Sequence, residues 1–243
     1  MNARPSGEAL VWLDEIDSTN EDARRRAAGG EQGPLWIAAH RQTAGRGRRG
    51  RIWQGGNGNL AATLLVRPDV PASEAAQLSF AAALAVADLV QHFAPDVPVT
   101  VKWPNDVLAD GRKLAGILLE SGNDHGFWLA IGIGVNLAEA PTGTEFPATS
   151  LKTVLGTAPD PQDALTVLAD RFAHWHRAWR EGGFPMLREA WLGRADRLGG
   201  PIRARLPCEE QEGVFEGIDA SGALLLNQGQ GRVRAITAGE VFW

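Results

Sequence analysis

Short runs in which apolar side chains alternate with polar or small ones, or fill the run completely, fall at residues 9–13, 35–40, 60–66, 99–103 and 127–136. Each predicts a β-strand. A helix follows the first strand to about residue 28, with Ser18 or Thr19 able to cap it and Glu21 and Asp22 complementing its positive end. Residues 73–93 carry Leu78, Ala81, Ala82, Ala85 and Leu89 at helical spacing and predict a long packing helix, ended by Pro95 and Pro98. The Asp110-Gly111 pair predicts a tight turn joining 106–108 to 113–120, with Lys113 at the mouth of the hairpin. Residues 141–149 read as loop, and 161–180 and 184–194, rich in Trp and Leu, as two further helices. After Gly199-Gly200-Pro201 the pattern changes to short strands at 202–206, 213–218, 224–226, 233–236 and 241–243, which predict a small closed or half-closed β-barrel. The pattern alone predicts an α+β chain of two units, 1–198 and 199–243.

Composition narrows what those elements can do. With 243 residues, 44% hydrophobic and 22% charged, the chain can bury a substantial core. A net charge of −5 argues against general nucleic-acid binding, which needs a broad basic face. The single cysteine, Cys208, excludes an internal disulfide, and no Cys/His grouping has zinc spacing. All five histidines read as structural; His174 and His176, two apart on a helix, point different ways. Residues 1–8 hold no apolar signal core, and the longest apolar run, 80–90, contains Asp88 and is too short to span a bilayer, so a cytoplasmic protein with no membrane role is expected.

The most informative stretch is 42–53, where Gly45, Gly47 and Gly50 are interleaved with Arg46, Arg48, Arg49 and Arg51. Glycines let backbone approach a ligand and arginines offer forked donors to phosphate or carboxylate, so this reads as an anion-gripping loop. Its Gly-x-Gly-x-x-Gly spelling is not a dinucleotide fingerprint, because the glycine-rich residues after Gly50 cannot open the required helix, and the chain has no Gly-x-x-x-x-Gly-Lys-Ser/Thr loop. Lysine is rare: only Lys102, Lys113 and Lys152 occur, two of them flanking the Trp103-Pro104-Asn105-Asp106 turn. Bringing a carboxylate against a triphosphate costs about 4 kcal/mol per charge pair at 4 Å and an effective dielectric of 20. An oriented lysine, arginines and a carboxylate able to hold Mg²⁺ would offset that cost in activating an acid as its adenylate.

Five motifs then carry a resemblance over essentially the whole chain. Ser18-Thr19-Asn20, the stretch from Gln42 to Trp53, Lys102-Trp103-Pro104-Asn105-Asp106, Arg112-Lys113-Leu114-Ala115-Gly116-Ile117 and Gly132-Ile133-Gly134-Val135-Asn136 resemble, in order, the motifs of the biotin protein ligases. The resemblance implies a mixed β-sheet backed by helices, of the class II aminoacyl-tRNA synthetase and biotin ligase kind, followed by an SH3-like barrel. It implies a two-step reaction in which biotin and MgATP give biotinyl-5′-AMP and pyrophosphate, and a lysine of a biotin carboxyl carrier domain then takes the biotin. By that resemblance Ser18, Thr19, Asn20, Gln42, Gly45, Arg46, Gly47 and Arg48 surround biotin, with Gly116 and Gly132 as close-approach positions beside it. Lys113 bridges its carboxylate and the α-phosphate. Arg48, Arg49, Arg51, Trp53, Asn105, Lys113 and Asn136 face the ATP or adenylate, and Asp106 holds the metal or helps the acceptor lysine lose its proton. Lys113, Arg48 and Asp106 are thus the catalytic candidates.

Some relatives carry an N-terminal helix-turn-helix and repress transcription; here Ser18 comes too early for one, so no DNA partner is expected. The family includes monomers and homodimers joined through a sheet edge, so the oligomeric state stays open, as does the identity of the carrier. One departure is Gln54-Gly55-Gly56-Asn57-Gly58, followed by a strand without the usual aromatic, which predicts a loop that orders around its ligand and binds biotin more weakly. Three alternatives are a lipoate or octanoate ligase of related fold, a single-stranded nucleic-acid binder using the basic loop and the nine tryptophans, and an inactive scaffold.

Overall fold

The computed structural model describes the backbone of Asn2–Ala3 and all of residues 8–243. The expectation that no signal core begins the chain falls largely outside the described residues. In chain order the elements are β1 (Asn2–Ala3), β2 (Ala9–Ile16), α1 (Thr19–Ala28), β3 (Leu35–Gln42), β4 (Leu60–Val66), α2 (Ala72–Ala75), α3 (Leu78–Phe93), β5 (Val99–Lys102), β6 (Asp106–Ala109), β7 (Arg112–Gly122) and β8 (Trp128–Val135). They continue with α4 (Leu151–Leu155), α5 (Pro161–Leu192), β9 (Pro201–Arg205), β10 (Glu210–Ile218), β11 (Leu224–Asn227), β12 (Val233–Ile236) and β13 (Glu240–Phe242).

Strands β1 to β8 form one mixed sheet in the order β1-β2-β3-β4-β8-β7-β6-β5, with β2 and β3 parallel and every other neighbouring pair antiparallel. Both faces of its centre are covered, so β3 reads as a nearly unbroken apolar run. Trp36 and Ala38 pack with Leu84, Phe172 and the rest of α3 and α5 on one side, while Leu35 and Ile37 pack with Ala23 and Ala27 of α1 on the other. Helix α1 is short and stops over the middle of the sheet. Beyond its N-terminal end the same face carries Gly116, Gly132 and Gly134, with Gly116 paired to Gly134 and Leu118 to Gly132. Small residues there leave a hollow where a longer helix would have packed.

The β6–β7 hairpin turns at Asp110 and Gly111, whose φ values of 51° and 68° are those an Asp-Gly turn supplies at low cost. Strands β9 to β13 form a second, antiparallel sheet in the order β12-β11-β10-β9-β13, and among the described residues β12 and β13 are its two edges, the half-closed form of the expected barrel. Its core is continuous with that of the first sheet through Phe80, Trp191 and Phe215, and Trp103 Nε1 donates to Gly222 O at 3.0 Å.

Two helix readings need correction. The 73–93 helix is two, since Ala76 and Gln77 separate α2 from α3. Taken together, Ala72–Phe93 spans 22 residues at mean hydropathy 1.3, enough by length and composition to cross a membrane, contrary to the reading from 80–90; but 67% of its most apolar window is buried, as befits a core helix. The two helices expected at 161–180 and 184–194 are found within the range of α5, parted at Gly183, whose φ of 67° and ψ of −169° are not helical, with Pro185 just after the break. Finally, α4 lay unrecognised behind the 141–149 loop, its start fixed by Ser150, whose Oγ accepts from Thr153 N.

Candidate active site

The hollow beyond α1 opens into a cavity of about 410 Å³ between the sheet, the 42–53 loop and the second sheet. Its first wall is the start of α1. Ser18 is the N-cap by backbone conformation, but its side chain makes no capping bond; instead Gln42 Oε1, at the end of β3, accepts from Thr19 N at 2.8 Å and lies 3.2 Å from Thr19 Oγ1. Thr63, fully buried on β4, donates to Asn20 Oδ1 at 2.6 Å and lies 2.8 Å from Thr19 Oγ1. Asn20 Nδ2 in turn donates to Glu120 Oε2 at 2.8 Å. Thr19, Asn20, Gln42 and Thr63 are thereby each aimed by another polar group, as buried polar groups must be.

The floor is the glycine row. A Cβ on Gly132 would lie 2.2 Å from Asn20 Oδ1, and one on Gly134 would lie 2.4 Å from the Trp53 ring, so each glycine is required by a particular neighbour. A Cβ on Gly116 would meet Trp53 at 3.2 Å and the Lys113 side chain at 3.6 Å. Asn136 ends the row; its Nδ2 donates to Thr149 O, while its Oδ1 and Trp53 Nε1 are buried without a protein hydrogen-bond partner.

The β6–β7 hairpin supplies the charged centre. Lys113 Nζ lies 2.7 Å from Asp106 Oδ1, and Lys102 Nζ 3.6 Å from Asp106 Oδ2. Burial pulls the Lys102 ammonium below the usual lysine range, and the nearby Asp106 carboxylate works in the opposite sense. Asn105 Nδ2 donates to Ile117 O, which locks the turn onto β7, and its Oδ1 accepts from Arg48 at 3.2 Å.

The loop is held by ion pairs. Arg46 reaches Glu120 at 2.9 Å and Glu21 at 3.1 Å, and Arg51 reaches Glu240 of β13 at 2.8 Å. Arg48 is largely buried, and that burial, with Arg49 beside it, lowers its guanidinium from the usual value. The glycine tract after Trp53 is anchored at its far end by Asn59, whose Oδ1 accepts from Ala138 N and Glu139 N.

Of the residues expected at the site, Ser18, Thr19, Asn20, Gln42, Arg46, Gly47, Arg48, Arg51, Trp53, Asn105, Asp106, Lys113, Gly116, Gly132 and Asn136 all line this cavity. Gly45 and Arg49 do not. Gly45 packs against the loop itself, where a Cβ would lie 2.8 Å from Trp53 O, and Arg49 (φ 57°) turns towards a second groove beside Phe80 and Gly222. Asp106 as a metal ligand also fits poorly, because two ammonium groups flank it, and among the described residues no group of three or more His, Cys, Asp and Glu could hold a metal ion. Thr63, Glu120 and Glu240 were missed. Thr63 alone left a trace, a polar residue inside an otherwise apolar strand.

A cavity lined by arginines and lysines thus lies on a mixed sheet, under a basic loop and beside a small antiparallel sheet, in an α+β chain. Residues 12–137 match the biotin/lipoate A/B protein ligase family, and residues 198–243 match the biotin protein ligase C-terminal domain. The chain is 48% identical to biotin--[acetyl-CoA-carboxylase] ligase of Paracoccus denitrificans, covering 95% of this chain and 99% of that one. It is 33% identical to the bifunctional ligase/repressor BirA of Bacillus subtilis over 93% of this chain and 71% of the relative. Its fold is similar to that of biotin protein ligase from Aquifex aeolicus in complex with biotin and ATP, with a TM-score of 0.83 at 28% identity, covering 96% and 97% of the two chains. The chain belongs to the biotin protein ligase family.

Proposed function

We propose that the cavity activates biotin with ATP and passes it to a lysine of a biotin carboxyl carrier domain. In the first step a biotin carboxylate oxygen attacks the α-phosphorus, the bond to pyrophosphate breaks, and biotinyl-5′-AMP remains. In the second, the acceptor amine attacks the acyl carbon, AMP leaves, the amide forms and the amine gives up its proton. The observation that carries this reading is the convergence of Lys113 and Arg48 on one cavity of about 410 Å³ floored by Gly116, Gly132 and Gly134.

Each wall then has a task. Ser18, Thr19, Asn20 and Gln42 present an ordered set of donors and acceptors to the ureido ring, and Arg46, Gly47 and Arg48 close over it. Lys113 leaves Asp106 to neutralise the carboxylate and α-phosphate as they approach, a task electrostatics performs best in a site closed to water. Trp53 and Asn136 Oδ1, both with unused polar atoms, fit the nucleoside. Asp106 accepts the ammonium of the incoming lysine, and Arg48 and Arg51 retain the phosphate. Mg²⁺ belongs to the nucleotide's phosphates as part of that substrate.

Both units, 1–198 and 199–243, contribute to the site in this reading, and the chain acts as an enzyme without a repressor role. An operator-binding assay at moderate salt is expected to show nothing; tight sequence-specific binding would refute that part. The reaction itself is tested by ATP–pyrophosphate exchange with biotin, lipoate, octanoate or no acid. Exchange with biotin alone is expected. Exchange with lipoate or octanoate in its place would move the chain to the neighbouring ligases, and none with any acid would defeat the adenylation reading.

A further inference from the structure

Asp106 is shared by two lysines in very different surroundings. Lys113 meets one carboxylate oxygen at 2.7 Å, and its side chain, 30% exposed, reaches into the cavity from β7. Lys102 lies 3.6 Å from the other oxygen, with a side chain only 6% exposed. Its ammonium sits among three aromatic rings, 4.5 Å from the centre of Phe146, 5.6 Å from Phe242 and 5.7 Å from Trp243. Phe146 comes from the loop before α4, Phe242 from β13 and Trp243 follows it, and Phe146 and Trp243 also pack edge to face at 5.2 Å. Ring faces attract a cation, and a desolvated one more strongly, so this cage fixes Lys102 where it stands.

That fixity matters because Lys113 has to move. Its departure towards a substrate anion would strand Asp106, which is itself buried, and a buried carboxylate without a partner is strongly disfavoured. A lone Asp106 would therefore keep Lys113 for itself. We propose that Lys102 is a positioning residue, the standing counter-ion of Asp106 that releases Lys113 to the substrate's carboxylate, and that Phe146, Phe242 and Trp243 hold it in that post. The last strand of the second sheet, whose Phe242 lines the same cavity as Lys102 and Phe146, then acts on the chemistry of the first through Lys102. This rests on the reading that the cavity binds biotin with its carboxylate at Lys113.

The test compares binding of biotin with binding of biotinol, its neutral alcohol, by calorimetry without ATP. Wild-type protein is expected to prefer biotin by about tenfold or more, and Lys102→Met to lose most of that preference while biotinol affinity stays within about twofold. Lys102→Arg, which keeps the charge and the ring contacts, is expected to restore the preference. In an Asp106→Asn background, Lys102→Met is expected to change the preference by less than about twofold, because its effect passes through Asp106. An unchanged preference in Lys102→Met, equal losses for both ligands, or the same effect with Asn at 106 would overturn the proposal, the second by assigning Lys102 to packing alone. Wild-type protein that binds neither ligand would reject the biotin reading, and the inference with it; binding of biotin with no preference over biotinol would defeat the inference alone.

Discussion

The β6–β7 hairpin and the arginine–glycine loop face each other across one cavity, both carrying cations, and they are built in opposite ways. On the hairpin every position is set by backbone: strand register pairs Asp106 with Gly116, Ile117 N donates to Asn105 O, and Lys113 N donates to Pro147 O. The loop has a single turn of 3-10 helix, Arg48–Gly50, one isolated bridge between Arg46 and Ile52, and arginines tied to Glu21, Glu120 and Glu240. Exposed ion pairs of that kind contribute about 0–1 kcal/mol each and can be exchanged for a substrate's charges. The proposed reaction needs both: a cation swung from Asp106 to the substrate on a rigid hairpin for the chemistry, and others that yield, then close, for retention.

The strongest way to break this contrast is at the hairpin's cation. Lys113→Ala is expected to lower biotin-dependent pyrophosphate exchange by about 10²-fold or more, the usual scale for removing a principal electrostatic stabiliser. Near-normal exchange would deny Lys113 its role. Next comes the shared floor. Gly134→Ala puts a Cβ 2.4 Å from the Trp53 ring and unseats the loop from the sheet; the KM for ATP is expected to rise about tenfold or more, while thermal unfolding shifts little because Trp53 is a loop residue. An unaltered KM would mean that Trp53 does not need that seat.

Arg48→Gly probes the loop alone. Adenylate formation is expected to fall no more than about tenfold, a hydrogen-bond-sized effect, but the intermediate should escape and label lysines on bystander proteins. Undiminished specificity, read by mass spectrometry of a bystander mixture, would argue that the loop is not the lid. The smallest effect lies behind the α1 wall. Asp17 is held down to about 2 by its hydrogen bonds from Arg25, so its contribution to stability is present above the ordinary carboxylate value of 3.8 and lost as pH falls through 2. With both side chains about two-fifths exposed, solvent screening limits that contribution to about 0.5 kcal/mol. Urea denaturation of Asp17→Asn should show that difference at pH 6 and its loss by pH 2.

Much of the hairpin was legible in the sequence because its signals are local. Asp110-Gly111 announces its own turn, Lys113 follows two residues on, and Pro104 interrupts the strand beside Asp106. The loop was legible as chemistry but not as structure: the arginines are plain to see, yet their partners Glu120 and Glu240 lie 74 and 189 residues further along, and no local pattern marks them. The same holds for the rings around Lys102, which only the folding of the last strand beside the 141–149 loop brings together. Among the helices, α2 and α3 part at Ala76 and Gln77, where no glycine or proline signals a break. Arg49 was placed with its neighbours by the resemblance, but its positive φ turns it away.

The division of labour across the cavity can be read in one single-turnover experiment with α-labelled ATP and biotin, separating enzyme-bound from released biotinyl-5′-AMP. Wild-type protein should form the adenylate and keep it, Lys113→Ala should form almost none, and Arg48→Gly should form it and let it go. Adenylate formation by Lys113→Ala at the wild-type rate, or retention by Arg48→Gly as tight as wild type, would contradict a hairpin-borne cation for chemistry and a yielding loop for retention.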